Sequence, residues 1–362
     1  MSGAKDIYTI NKIGVIADIQ YCDRDDGPNF DGTEFRRYRE SLNVTKRAAK
    51  SFQTHDVGAI LQLGDAIDRH SKDFLTDFNE ILSPILDIPS SKDKCVDSKN
   101  HLQSIPRFDV LGNHELESCS RINLHKIFDS YDQENDMLAY SREIADGKWR
   151  LIVLDSFAIS VLGYNDVELS EQELKKLNIA KTILEHNNPN CLTQRSNDEV
   201  TPKEKQKYGK FNVGLGRVQM NWLEKQLDDA WDKRQFVAIF SHVPISGFHG
   251  NEYFWNSLHW DADEILQLIK RKGSHVVACL AGHRHSFSHR SNDEKDTFTH
   301  HLVIPSPLLA PVDGEAHAIL EFSVKKTESS EEKGMIRVRG FGSMPKDIDL
   351  LKPAPSDWQI KG

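Results

Sequence analysis

The chain has 362 residues, of which 38% are hydrophobic and 28% are charged, a composition typical of a soluble globular protein. Its formal net charge of -9 argues against a broad surface for nucleic acid or anionic membrane. No apolar stretch is long enough to cross a bilayer, and MSGAKDIYTINK at the start has no apolar signal core, so we expect a cytoplasmic protein.

Apolar strand-like runs alternate with amphipathic helical stretches along the chain. Strands are predicted at 12–18, 58–65, 107–115 (including its exit loop), 148–157, 235–243 and 274–283. Helices are predicted at 34–55, 217–233 and 263–273, and at 73–86, where Pro84 is expected to cut the helix. The later segments FTHHLVIPS, HAILEFSVK and MIRVRGF are typical of antiparallel strands. The alternation predicts a layered α/β fold with a largely buried sheet.

Region 186–212 interrupts this alternation. It is polar, charged and contains two prolines, which indicates a surface insertion. A plain solvated loop is the favoured interpretation, with a substrate lid as the alternative. We expect residues 1–362 to form a single domain that carries this insertion.

Polar side chains follow five of the predicted strands. They are Asp18 and Gln20, then Asp65, then Asn113 and His114, then His242, and finally His283 and His285. Each alone has an ordinary explanation as a helix cap, a turn residue or a buried histidine. Because functional loops of open α/β sheets lie at the carboxyl ends of the strands, the five together predict one site. Glycine lies beside three of them, which allows close approach of the backbone to a bound ion.

The residue types indicate a metal centre. Two aspartates, one glutamine, one asparagine and three histidines are too many ligands for one catalytic ion and suit two divalent ions, with Asp65 as the bridge. Oxygen and imidazole ligands without thiolate favour Mn, Fe or Zn. Since only two ligands are anionic, two ions would leave the site positive and suited to phosphate. His114, beside Asn113, is expected to face the substrate and protonate the leaving oxygen or stabilise developing charge.

The series ADIQ, GDAID, GNHE, SHVP and GHRH over 18–285 resembles the calcineurin-like metallophosphoesterase superfamily in order and spacing. The resemblance implies a four-layer β-sandwich of two mixed sheets flanked by helices, whereas the strand pattern alone leaves a doubly wound sheet open. It implies one ion held by Asp18, Gln20, Asp65 and His285, a second held by Asp65, Asn113, His242 and His283, and His114 as the catalytic histidine. Arg284, between two ligands, is expected to point the other way.

Gln20 stands where the superfamily usually has histidine. ADIQYCD, together with GNHE, SHVPI and AGHRHSF, most resembles the manganese-dependent ADP-ribose/CDP-alcohol diphosphatase family. This resemblance implies hydrolysis of the diphosphate bond in ADP-ribose, CDP-choline, CDP-ethanolamine or CDP-glycerol, which gives AMP or CMP plus a phosphorylated sugar or alcohol. An amide is a weaker ligand than imidazole, so we expect a looser metal at Gln20 and a need for added Mn²⁺.

The substrate class leaves alternatives open. A broad phosphomonoesterase or a cyclic-nucleotide phosphodiesterase would use the same dinuclear site. Phe30 is predicted either to stack on a nucleobase or simply to anchor its loop. We expect small nucleoside diphosphate-linked substrates, no nucleic-acid or membrane partner, and a monomer.

Overall fold

The computed structural model describes residues 10–29, 32–89, 104–132, 134–164, 168–189, 202–247, 254–291, 299–326 and 332–359. In chain order the strands are β1 (Lys12–Ile16), β2 (Gly27–Pro28), β3 (Phe35–Arg36), β4 (Ala59–Gln62), β5 (Arg107–Asp109), β6 (Tyr140–Ile144), β7 (Trp149–Val153), β8 (Phe236–Phe240), β9 (Val276–Ala281), β10 (Ser288–Ser291), β11 (His300–Val303), β12 (Ala316–Lys326), β13 (Glu332–Gly342) and β14 (Ile348–Pro353). The α-helices are α1 (Tyr38–Thr54), α2 (Phe74–Thr76), α3 (Ser83–Leu86), α4 (Asn113–Ser118), α5 (Glu171–Asn187), α6 (Gly216–Asp232), α7 (Ala262–Lys272) and α8 (Ser356–Gln359). Within these described ranges no helix is both long and apolar enough to span a membrane.

Two six-stranded sheets form the centre of the molecule. The first has the order β14-β13-β12-β1-β4-β5 and the second β10-β11-β9-β8-β7-β6. In the first sheet β1, β4 and β5 run parallel, and β12 is antiparallel to β1. In the second, β7, β8, β9 and β11 run parallel between antiparallel edge strands. Two mixed sheets confirm the sandwich that the resemblance implied and exclude one doubly wound sheet.

The sheets pack face to face around one apolar cluster that draws on both. Trp149 of β7 is fully buried, and its ring lies 5.2 Å from that of Phe322 on β12 of the other sheet. On the outer side of the first sheet, Phe52 of α1 packs over Gly14, where any Cβ would collide with the ring. Helices α6 and α7 cover the second sheet through Leu223, Leu227, Ile265 and Ile269. The layers are therefore helix, sheet, sheet and helix.

Four predicted elements differ from the structure. The segment FTHHLVIPS, predicted as an antiparallel strand, forms β11, which runs antiparallel to β10 but parallel to β9. The first helix begins at Tyr38 because residues 35–36 pair with 27–28 as a short ribbon. The helical path through 73–86 is not cut by Pro84. It continues through a π-helical turn at Asp77–Leu82, and Pro84 is the second residue of α3, a first-turn position at which proline is tolerated.

The exit loop predicted at the end of 107–115 is instead the start of a helix, which begins at Asn113. Strand β6 and helix α5 were not predicted from the sequence. Helix α5 carries a recognisable start signal, since Ser170 and Glu173 form a reciprocal capping box. Its weak amphipathicity obscured the helical period.

Region 186–212 is described only at its two ends, because 190–201 lies outside the described residues. Its described residues are not all solvated: Asn188, Lys207 and Asn212 are buried. Asn188 donates from Nδ2 to the carbonyl of Tyr208 at 3.1 Å, so the two ends are joined to each other.

Buried histidines away from the strand ends make the fold sensitive to acid. The His317 ring stacks on Phe341 at 4.5 Å and meets Phe52 edge-on at 5.3 Å. Neither of its ring nitrogens has a hydrogen-bond partner among the described residues. Burial lowers the pKa of His317 from 6.5 to about 4. Between these values the unfolded chain binds a proton that the folded chain excludes, so the stability present above pH 6.5 falls as the pH drops towards 4.

Replacing His317 by Phe should remove this acid sensitivity while keeping the ring contacts. Between pH 7 and pH 5, we expect the wild type to lose about 2 kcal/mol more unfolding free energy than H317F. Urea denaturation of both proteins in EDTA, at each pH, measures the difference. An identical pH dependence in the two proteins would show that His317 is protonated in the folded state.

Candidate metal centre

The polar side chains that follow the strands meet at one edge of the sandwich. Asp18 follows β1 and Asp65 follows β4 in the first sheet, while His242 and His283 follow β8 and β9 in the second. Backbone bonds join the loops within each sheet, from the N–H of Asp18 to Gly64 and from Gly282 to His242, both at 3.0 Å. Between the sheets, the His283 N–H donates to the Asp18 carboxylate at 2.9 Å. The edge therefore forms only when both sheets are in place.

The second donor set comprises Asp65, Asn113, His242 and His283. His242 Nε2 lies 3.3 Å from Asp65 Oδ2 and 3.3 Å from Asn113 Oδ1. His283 Nδ1 lies 3.1 Å from the same Asn113 oxygen and 3.3 Å from His242 Nε2. The Asp65, His242 and His283 ligand atoms all lie within 4.8 Å of one another, a grouping that could hold a metal ion.

The first donor set comprises Asp18, Gln20, Asp65 and His285. Gln20 Nε2 lies 2.9 Å from His285 Nε2 and 3.2 Å from Asp65 Oδ2, and His285 Nε2 lies 3.7 Å from Asp18 Oδ1. Gln20 Oε1 is buried and has no hydrogen-bond partner among the described residues. Reversing the amide would turn this oxygen toward the other donors. The set therefore suits a cation that an amide oxygen can coordinate. Asp65 belongs to both sets.

Two imidazoles are oriented by groups behind them. His242 donates from Nδ1 to the carbonyl of Leu63 at 2.8 Å, so its Nε2 faces the donor set and would bind a metal ion once it loses its proton. His285 Nδ1 lies 3.1 Å from Glu34 Oε2, so His285 also presents Nε2. Glu34 was missed by sequence reasoning, because it lies 251 residues from the histidine it contacts.

Five of the seven proposed ligands have left-handed backbone. They are Asp18, Gln20, Asp65, His283 and His285, with φ between 45° and 66°. This conformation costs a non-glycine residue roughly 1 kcal/mol or more, and such strain concentrates at functional sites. Gly112 and Gly282 instead allow close approach, since a Cβ on Gly112 would collide with the Asp65 carboxylate and one on Gly282 with that of Asp18.

Glu115 holds the loop of the shared aspartate. Its fully buried carboxylate accepts hydrogen bonds from the N–H groups of Gly112, Asp65 and Ala66 at 2.8, 2.9 and 2.7 Å. These three bonds fix the backbone that carries Asp65. Sequence reasoning did not assign Glu115 a role, although it is the last residue of the GNHE motif.

The buried carboxylates of the centre need positive charge nearby to be stable in their ionised form. Burial raises the pKa of Asp18 to about 6. Burial also opposes ionisation of Asp65, but the neighbouring His242 and His114 outweigh it and hold the Asp65 pKa well below its usual value. Burial disfavours a proton on His242, yet the Asp65 carboxylate dominates and raises the His242 pKa to about 10. A proton on His242 thus supplies the charge that a bound cation would supply.

His114 lies beside the donor sets with its ring held from behind. Its Nδ1 accepts the backbone N–H of Arg69 at 2.9 Å and lies 3.3 Å from Asp68 Oδ2. The ring proton therefore sits on Nε2, which lies 3.9 Å from Asp65 Oδ2 on the side of the centre. Asp68 was missed by sequence reasoning, although it ends the quoted GDAID motif.

Two further sequence predictions concern residues around the centre. Phe30 lies outside the described residues. Arg284, expected to point away from the ligands, has its guanidinium 4.5 Å above the ring of Phe254.

Comparison with known proteins places this geometry in a family. The profile of the family described as calcineurin-like phosphoesterase matches residues 11–287. A protein named manganese-dependent ADP-ribose/CDP-alcohol diphosphatase from Arabidopsis thaliana is 28% identical, over 75% of this chain and 79% of that protein. The protein of that name from Xenopus laevis is 28% identical, over 96% of this chain and 92% of that protein.

A crystal structure of a dimetal phosphatase from Danio rerio has the same fold, with a TM-score of 0.75 and 24% identity over 96% of this chain and 100% of that chain. The family match spans all five strand ends that form the centre. The chain therefore belongs to the calcineurin-like phosphoesterase family.

Proposed function

We propose that this protein hydrolyses the diphosphate bond of ADP-ribose and CDP-alcohols with two divalent ions, manganese foremost. The observation that carries the proposal is the convergence of seven donor side chains into two sets that share Asp65. The names of the relatives described above support the metal and the substrate class. AMP or CMP and a phosphorylated sugar or alcohol would be the products.

Each donor set would hold one ion. The first set would supply Asp18, Gln20, Asp65 and His285, and the second Asp65, Asn113, His242 and His283. When bound, the two ions supply positive charge for the phosphate oxygens and activate water for attack on phosphorus. Only two of the seven side chains are anionic, so two divalent ions exceed the ligand charge, and an anionic diphosphate neutralises the excess.

His114 would act on the oxygen that leaves. Its Nε2–H faces the centre while its other ring nitrogen is occupied by the N–H of Arg69. As the bond between phosphorus and the bridging oxygen breaks, negative charge grows on that oxygen. The Nε2–H can donate to it and stabilise this charge.

The first experiment tests metal and substrate together. Metal-stripped protein is incubated with ADP-ribose, CDP-choline and p-nitrophenyl phosphate, with and without Mn²⁺, and the products are separated by chromatography. We expect AMP plus ribose 5-phosphate, and CMP plus phosphocholine, only with Mn²⁺, and slow cleavage of the monoester. Intact ADP-ribose with rapid p-nitrophenyl phosphate cleavage would instead indicate a phosphomonoesterase. Full activity after exhaustive chelation would refute a loosely held metal at Gln20.

Replacing His114 by Ala should separate catalysis from metal binding. We expect kcat for ADP-ribose to fall by roughly 10²–10⁴-fold, because the donor to the leaving oxygen is lost. Bound manganese, measured by atomic absorption after gel filtration, should match the wild type since His114 belongs to neither donor set. Unchanged turnover would remove His114 from the mechanism.

Manganese affinity should weaken as the pH falls. The ligand atoms bind metal only when unprotonated, and the pKa values of His242 and Asp18 are about 10 and about 6 in the metal-free protein. From pH 7 to pH 6, we expect the Kd for Mn²⁺ to rise by about tenfold or more, since at least one proton is displaced. Calorimetric titration at both pH values, each in two buffers of different ionisation enthalpy, gives the affinity and the protons released. A pH-independent Kd would contradict the protonated state of His242.

A further inference from the structure

Asn212 lies outside every motif yet reaches the metal centre. Its side chain is almost fully buried, with 2% of the residue exposed. Both hydrogens of its Nδ2 are used, since it donates to the carbonyls of Lys207 and Asn256 at 2.9 Å each. Because both of these partners can only accept, the amide cannot be reversed, and its Oδ1 is fixed on the opposite side.

That fixed oxygen faces a proposed metal ligand. Asn212 Oδ1 lies 3.4 Å from His283 Nε2. An amide oxygen only accepts, so this contact requires the His283 proton on Nε2. Asn113 Oδ1 is also an acceptor, 3.1 Å from Nδ1, but it is itself a proposed metal ligand and would share the ion with that nitrogen. The lone pair of His283 is then on Nδ1, the atom that lies 3.1 Å from Asn113 Oδ1 and 3.3 Å from His242 Nε2.

The ring of His283 is oriented the opposite way to the rings of the other two histidines in the centre. His242 and His285 direct Nδ1 outward, to Leu63 and Glu34, and present Nε2. In His283 the outward nitrogen is Nε2 and the inward one is Nδ1. The protonation pattern that suits the other two histidines would place a hydrogen at the metal position here, so His283 needs its own acceptor.

We propose that Asn212 is a positioning residue that selects the tautomer and fixes the ring angle of His283 for the metal in the second donor set. The inference rests on the proposed dinuclear centre. The acceptor is held rigidly, because Lys207 is buried and its Nζ lies 3.0 Å from Asp263 Oδ2 on α7. The described end of region 186–212 is thereby connected to the catalytic edge through a single amide.

The test compares N212A with a matched control. Asn188 is a buried asparagine near the start of the same region, and its side-chain amide donates to the backbone carbonyl of Tyr208, away from the metal centre. Mn²⁺ titration followed by electron paramagnetic resonance should show one of two sites weakened by roughly 10–100-fold in N212A. N188A should bind both ions as the wild type does.

A second readout needs neither metal nor substrate. In metal-free protein labelled with ¹⁵N-histidine, long-range ¹H–¹⁵N spectra report which ring nitrogen of His283 is protonated, with H283Q used for assignment. We expect Nε2–H in the wild type and N188A, and a mixture of tautomers in N212A. Nδ1–H in the wild type, or unchanged tautomer and affinity in N212A, would overturn the inference. If the tautomers are as expected but the wild type does not hydrolyse ADP-ribose or CDP-choline, only the proposed substrate is wrong.

Discussion

Two buried carboxylates at one edge of the sandwich determine which other groups the site must contain. Asp18 and Asp65 are 0% and 1% exposed, and among the described residues no lysine or arginine pairs with either. Isolated buried charges are prohibitively unfavourable, so the compensation must come from imidazoles, backbone N–H groups and bound cations. The protonated His242 and the backbone N–H groups of two loops, which donate to Asp65 and Asp18, answer this requirement.

The sandwich architecture is what brings the compensating groups together. Asp18, Gln20 and Asp65 come from the first sheet, whereas the three proposed histidine ligands come from the second. Assembly of the site is therefore part of packing one sheet on the other. The left-handed backbone of five ligands, unfavourable in isolation, is held by contacts across this edge, such as the hydrogen bond from Ser306 Oγ to the Asp18 carbonyl at 2.5 Å.

The sequence predicted the strands and the side chains that follow them, because buried strands have continuous apolar runs and the ligands lie directly after them. It did not predict which sheet each strand joins, since pairing depends on contacts far apart in the chain. For the same reason Glu34 and Asn212 were missed: neither has a local pattern, and each acts on a histidine distant in sequence. Glu115 and Asp68 lay within quoted motifs, but their roles depend on backbone geometry that no spacing reveals.

The groups behind the histidines also make the two donor sets unequal. His285, in the set with the weaker amide ligand Gln20, is backed by the carboxylate of Glu34, which strengthens an imidazole as a ligand. His242 and His283 are backed only by neutral acceptors, Leu63 and Asn212. The first set would therefore concentrate negative charge around a bound ion, and the second would leave more of an ion's charge uncompensated. An anionic phosphate should consequently be drawn more strongly toward the second set, whose ligand geometry depends on Asn212.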